Sequence, residues 1–180
     1  VPYENAKEGA VVQGINVIGA KSFSQVVQFL QQKEENLIHP TKVNIADIMT
    51  DKQRFSMDFS DIVGQEACKR AAVVAAAGFH HFLITGPPGS GKTMIAKCMP
   101  TILPELSEEE SLEVSTIYSI SGLLDEKNSL ITKRPFLHPH HSSTRQSLTG
   151  GGMIPRPGIL SLSHRGILFL DELPEFSREC

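Results

Sequence analysis

Apolar residues along this chain recur with two different periods. Phe23, Val26, Val27 and Leu30 follow Ser22 at the i, i+3, i+4, i+7 spacing of an amphipathic helix, with the serine as its N-cap. Ahead of it, Val11-Val12 and the stretch from Ile15 to Ile18, punctuated by Gly14 and Gly19, predict a short strand between turns. From His39-Pro40 to Phe55 large apolar residues are sparse, so this stretch reads as a linker. Residues 65–77 are alanine-rich and predict a helix with Gly78 as its C′ stop. Phe82-Leu83-Ile84-Thr85 then predicts a short buried strand ending at a glycine–proline turn, followed by a helix from about Gly91 to Met99. Ser107-Glu108-Glu109-Glu110 has the form of a capping box, so a further helix should run from Glu108 toward Ser121, with Gly122 ending it. Gly166 to Leu170 is a second buried-strand pattern, closed by Asp171-Glu172. Apolar strands alternating with helices predict an α/β layer with a parallel sheet.

Composition narrows the class. With 180 residues, 40% hydrophobic, 21% charged and a net charge of −3, the chain is globular rather than disordered. Its longest apolar run, the nine residues 71–79, is mostly alanine, whereas a membrane span needs about 20 apolar residues. No signal-peptide pattern opens the chain. Its first residue is Val1, so it is expected to be a processed product or an excised piece. Cys68, Cys98 and Cys180 lie far apart and are odd in number, offering neither a disulfide framework nor a C-x-x-C metal pair. Free thiols point to a reducing compartment, and a cytoplasmic protein is expected.

Charge is distributed unevenly. Between Lys97 and Lys127 lie seven acids (Glu105, Glu108, Glu109, Glu110, Glu113, Asp125, Glu126) and no base. From Lys127 to Leu170 there are six bases (Lys127, Lys133, Arg134, Arg145, Arg156, Arg165) and no acid. Such a segment suggests a local surface for an anionic partner, with a solvated loop or a subunit contact as the alternatives.

The most specific chemistry lies at Gly86-Pro87-Pro88-Gly89-Ser90-Gly91-Lys92-Thr93, which fits G-x-x-x-x-G-K-[ST] in full. It follows a predicted strand and opens a predicted helix, the setting its mechanism requires. Glycines at 86, 89 and 91 let successive N–H groups converge on phosphate oxygens. Lys92 would meet the β- and γ-phosphates of ATP, and the Thr93 hydroxyl would ligate Mg²⁺. Ile167-Leu168-Phe169-Leu170-Asp171-Glu172 has the form of a Walker B strand. Asp171 there can hold the Mg²⁺ shell and Glu172 can polarise the attacking water. The basic Pro/Gly/His/Ser segment 133–165 fits between these motifs as an insertion. His138-Pro139-His140-His141 within it invites a metal reading, but it has no neighbouring Cys or carboxylate, and a loop or packing role is favoured.

Together these residues resemble a known family. Asp58-Phe59-Ser60-Asp61-Ile62-Val63-Gly64-Gln65-Glu66, the P-loop, Arg134-Pro135-Phe136, Pro139-His140-His141, Gly150-Gly151-Gly152, Pro155-Arg156-Pro157-Gly158, Ser161-Leu162-Ser163-His164 and residues 168–176 match the pattern of ComM-like, magnesium chelatase subunit-related AAA+ ATPases. Residues 1–38 resemble the tail of a Lon-protease-like (S5-like) domain. The resemblance implies a truncated P-loop NTPase (AAA+) parallel-sheet core over 58–180, with an insert at about 133–165. It also implies a linker over 39–57 and a small α+β remnant over 1–38. Members are ATP-driven ring motors, and the ComM group is associated with DNA branch migration. A hexameric ring, ATP and Mg²⁺ as cofactors, and DNA contacted through 133–165 are implied accordingly. Ile62 and Val63 would flank the adenine. Ile159, after Pro157-Gly158, instead points toward the chelatases proper, and a chelatase-type or protein-remodelling ATPase is the alternative. The sensor and arginine-finger residues of such ATPases fall after Cys180, so these 180 residues are expected to bind Mg-ATP and hydrolyse it poorly.

Overall fold

The computed structural model describes residues 1–31, 38–50, 55–124 and 129–178. Asp125, Glu126, Lys127 and Cys180 lie outside the described residues, as does part of the stretch read as a linker.

The N-terminal part is held by its own backbone. A 3-10 turn, Tyr3–Asn5, leads into α1 (Ala6–Ala10). Pro2 and Ala20 form an isolated parallel bridge, with Tyr3 N–H donating to the Ala20 carbonyl at 3.0 Å. The strand expected over 11–18 is not formed. Val11 instead caps α1 and turns inward, and residues 12–14 form a turn with Gly14 at φ +83°. Helical closure places Val11 where Ile45 and Leu130 bury it. The helix expected after Ser22 is present as α2 (Phe23–Leu30), and the Ser22 hydroxyl accepts from Gln25 N–H.

The stretch expected as a linker carries α3 (Ile45–Thr50). Ile45 packs with Val11 and Leu130 in a buried cluster, flanked by Val43, Ile48, Met49 and Leu112. The first 50 residues therefore share a core with the rest of the chain. Glu8 also accepts a hydrogen bond from the Ser119 hydroxyl, far along the sequence.

A capped 3-10 turn, Phe59–Asp61, precedes α4 (Glu66–Gly78). Gly78 is the last helical residue rather than the stop beyond it, and the left-handed position falls on Phe79, at φ +51°. The His80 ring lies against Gly78, so a side chain at 78 would require that ring to move. Residues 82–85 do not form the expected buried strand. Phe82 and Ile84 pack on the cluster of Ile62, Ile95 and Cys98, while Leu83 is 76% exposed. Burial thus alternates with period 2, but no described strand lies alongside to complete a ladder.

Helix α5 (Lys92–Cys98) follows the glycine-rich loop and passes into a 3-10 turn, Met99–Ile102. Helix α6 (Glu108–Ile120) starts at the expected capping box, with both reciprocal bonds between Ser107 and Glu110 in place. Gly122, at φ +69°, ends it as expected. Two α6 serines hold the extended chain at Ile131. Ile131 N–H donates to Ser115 Oγ at 2.7 Å, Ser115 donates to the Ser111 carbonyl, and the Ser111 hydroxyl donates to the Ile131 carbonyl.

Strand β1 (Phe136–Leu137) comes next, then α7 (Arg145–Thr149), β2 (Gly150–Gly151), β3 (Arg156–Pro157), α8 (Ile159–Leu162) and β4 (Ile167–Leu168). β1 and β4 pair in parallel, Phe136 opposite Ile167 and Leu137 opposite Leu168, so the sheet has the expected sense. It is small, and β4 is half-buried rather than buried, because among the described residues it has a neighbour on one edge only. β2 and β3 form an antiparallel hairpin whose tip carries Met153 and Ile154 into solvent.

Candidate nucleotide site

The loop between residue 86 and α5 bends through left-handed glycines at 89 and 91, at φ +76° and +85°. These are conformations in which a Cβ is strained, so the two glycines are required by the backbone itself. Gly86 does not have positive φ; an added Cβ would make a tight 3.1 Å contact with the Ser90 hydroxyl. Pro87 and Pro88 begin the turn, and Ser90 N–H closes it onto the Pro87 carbonyl.

Lys92 is the first residue of α5 and folds back over the loop. Its ammonium donates to the carbonyls of Gly86 at 2.9 Å and Pro87 at 2.8 Å. The cation is thus held at the mouth of the loop rather than released to solvent. Thr93 points to the other motif, and its hydroxyl donates to Asp171 Oδ2 across 3.0 Å. Asp171 stands just past β4, and its second oxygen accepts from Glu172 N–H at 3.1 Å. Parallel pairing of β4 with β1 puts this carboxylate at the C-terminal edge of the strands, the edge where open α/β sheets take ligands.

An Mg²⁺ ion with a nucleotide fits this donor set. A hydroxyl and a carboxylate already in contact are both oxygen donors, as a hard divalent cation requires, and an ammonium stands ready for phosphate. Thr93 and Asp171 would hold the metal, which when bound neutralises charge on the phosphates.

Glu172 adopts a left-handed backbone at φ +52°, and its carboxylate pairs with His141 Nδ1 at 3.1 Å. Strained backbone of this kind costs about 1–3 kcal/mol and concentrates at functional positions. Gln65 is also left-handed, at φ +59°, and its side-chain amide donates to the Ser90 carbonyl at 2.9 Å. It ties the segment after Val63 to the phosphate loop. Of the two residues expected beside the adenine, Ile62 is buried with Ile95 and Cys98, while Val63 is 93% exposed.

Sequence reasoning did not single out Gln65 or His141 for this site. The signal for His141 was present in the histidine cluster, but its meaning depends on β1 lying beside β4, which spacing alone does not reveal. Among the described residues no group of three or more His, Cys, Asp or Glu side chains is placed to hold a metal ion.

The basic segment behaves differently from its charge count. Arg134 is buried and bonded to Glu110 and three carbonyls. Arg165 pairs with Glu110 and Glu113, His164 with Glu113, and Lys133 lies over the Phe55 ring at 4.1 Å. Arg134 and Arg165 thus face Glu110 and Glu113 of α6. Arg145 and Arg156 remain exposed on α7 and β3. No described helix is long and apolar enough to cross a membrane.

Comparison with known proteins agrees with the motif set. The family model described as magnesium chelatase, subunit ChlI, matches residues 58–180. An uncharacterised protein of Mycobacterium tuberculosis is 44% identical over 178 residues, covering 98% of this chain and 34% of its own length. The competence protein ComM of Haemophilus influenzae is 42% identical over 177 residues, with 98% and 34% covered. The magnesium-chelatase 67 kDa subunit of Heliobacterium mobile is 27% identical over 146 residues, with 66% and 22% covered. The chain spans about a third of the length of the first two relatives. With its P-loop lysine, its Thr93–Asp171 contact and these matches, the chain belongs to the magnesium chelatase subunit ChlI family of AAA+-related proteins, and ComM-like proteins are among its relatives.

Proposed function

We propose that residues 58–180 are the ATP-binding part of a ring-forming AAA+ ATPase, a hexamer in its working state, which moves DNA in the manner of a branch-migration motor. Residues 1–38 are then the end of a Lon-like domain and 39–57 its connection, in a cytoplasmic protein. The observation that carries the nucleotide reading is the Thr93–Asp171 hydrogen bond, which joins two motifs 78 positions apart at the mouth of the P-loop. N–H groups of 86–91 and the Lys92 ammonium grip the phosphates, Lys92 exchanging its two carbonyl partners for phosphate oxygens. Glu172 takes the proton of the attacking water. Val63, with Ile62 behind it, borders the adenine.

The DNA reading draws support from Arg145 and Arg156, exposed beside the hairpin, and from the likeness to ComM. A second reading, a chelatase-type or protein-remodelling ATPase, is favoured by the hairpin tip. Met153 and Ile154 are 102% and 76% exposed there, and apolar side chains suit a protein partner better than phosphates.

The test is the ATPase rate of the full-length protein with and without single- and double-stranded DNA, with Lys92→Ala as the blank. Stimulation by DNA that Lys92→Ala abolishes and salt weakens supports the motor. A Lys92-dependent rate indifferent to DNA selects the second reading. For the 180-residue chain alone, Mg-ATP binding with turnover well below about 1 s⁻¹ is expected.

A further inference from the structure

Gln65 stands in a left-handed backbone directly after Gly64, at φ +59° and +70°. A residue other than glycine is uncommon there, and Asn or Asp is found in it more readily than Gln. Gln65 is also the N-cap of α4, yet its side chain caps nothing in that helix. Instead the amide reaches 25 positions along the chain and donates to the Ser90 carbonyl at 2.9 Å. Its mount is firm. Lys69 N–H donates to the Gln65 carbonyl at 2.9 Å, the first bond of α4. The Lys69 ammonium holds both the Ile62 carbonyl, at 3.4 Å, and the Glu66 carboxylate, at 2.6 Å.

The receiving end is the opposite. Ser90 lies between Gly89 and Gly91, both left-handed. A peptide beside glycine turns over at little cost, because glycine accepts either sign of φ. Ser90 N–H, bonded to the Pro87 carbonyl at 3.4 Å, restrains the peptide before it, and Ile95 N–H holds the Gly91 carbonyl at 3.0 Å. The peptide between them, joining 90 to 91, has the Gln65 amide as the partner of its carbonyl. In a trans peptide the carbonyl and the following N–H point in opposite directions. Holding the Ser90 carbonyl therefore aims the Gly91 N–H away from Gln65, where it meets no acceptor among the described residues. We propose that Gln65 is a positioning residue of the phosphate loop, which fixes the 90–91 peptide so that Gly91 N–H is presented to a phosphate oxygen before nucleotide arrives. This role rests on the nucleotide reading above. A loop already in its binding form loses no affinity to ordering itself.

The experiment titrates the nucleotide-free, full-length protein with Mg-ATP and Mg-ADP by calorimetry, comparing wild type with Gln65→Met and Gln65→Gly. Gln65→Met keeps the length of the side chain and lacks the donor. Gln65→Gly accepts the left-handed backbone without strain and gives the readout if the first variant fails to fold. Expected is a loss of affinity of about 5-fold for both nucleotides, the worth of one net hydrogen bond, which in hydrolysis assays falls on KM for ATP rather than on kcat. Deuterium exchange in the nucleotide-free protein should quicken over 86–91 and not over α4. Wild-type affinity in the donor-less variant, or faster exchange that runs through α4 as well, overturns the inference; affinity still lost in Lys92→Ala then leaves the nucleotide reading intact. A wild-type protein that binds no Mg-ATP overturns both.

Discussion

The Arg134 guanidinium reaches back to Glu110, with its nitrogen 2.8 Å from the carboxylate, although the side chain of Arg134 is only 5% exposed. It also donates to the carbonyls of Pro104, Glu105 and Arg165 and lies 4.8 Å from the centroid of the Phe79 ring. One planar cation thus satisfies the end of the 99–106 segment, the first turn of α6 and the start of β4. Arg134→Ala should destabilise the fold by about 3 kcal/mol, because it leaves a carboxylate and three carbonyls without their donor. Lysine, with a point charge and no fork, should recover less than half of that. Urea midpoints of the two variants against wild type measure it.

The same pair makes stability depend on pH. Burial pushes the Glu110 carboxyl up, but Ser107 N–H and the Arg134 charge outweigh it, and its pKa is lowered overall. A lowered native value means the stabilisation is fully present above the ordinary glutamate range and is lost as pH falls through the native value. Thermal melts should therefore show a loss between neutral pH and the acid range that is smaller in Glu110→Gln. A slope unchanged in that variant would remove Glu110 as the cause.

Gly166 lies so close to Pro135 that an added Cβ would fall inside the Pro135 backbone. That approach lets Ile167 N–H reach the Pro135 carbonyl at 2.7 Å and sets the β1–β4 register. Gly166→Ala should cost about 2–4 kcal/mol through forced separation of the strands. It should also weaken Mg-ATP binding, since Asp171 stands at the end of β4. Gly14→Ala, where open space surrounds the Cβ, is the control and should cost only the strain of its positive φ, about 1 kcal/mol.

Asp171→Asn keeps the size of the side chain and can still meet Thr93, but it lacks the charge for a divalent cation. The expected outcome is ATP affinity that no longer rises with added Mg²⁺, with hydrolysis in the full-length protein reduced at least about 100-fold. Thr93→Ala should weaken the Mg²⁺ dependence less. Isothermal titration at several Mg²⁺ concentrations separates the two; an Asn variant with a normal Mg²⁺ response would place the cation elsewhere.

Local signals were legible in the chain where the chemistry is local. The Ser107–Glu110 capping box, Ser22 at the head of α2, Gly122 beyond α6 and the P-loop all depend on residues within a few positions of one another. What spacing could not supply was partnership over distance. Residues 82–85 have the apolar run of a strand, yet a strand exists only by pairing, and no described segment pairs with them. Val11 reads as part of a short strand and Ile45 as part of a linker, and neither pattern reveals the core that the two form with Leu130. The basic stretch read as a surface for an anion because a charge count along the chain cannot see that Arg134 and Arg165 face the acids of α6. His141 was legible as a residue and not as a neighbour of Glu172.

The serines of α6 have a consequence for how this protein tolerates change. Ile131 N–H, Ser115, Ser111 and the Ile131 carbonyl form a closed circuit in which every hydroxyl proton already has its destination. A methyl-lined seam can be repacked by exchanging one aliphatic for another, because dispersion has no direction. This seam has direction, so a substitution that barely changes volume, such as Ser115→Ala, breaks it as surely as one of the wrong size. The buried face of α6 is thus written in proton positions, and drift that an oily helix would absorb silently is here read as an error.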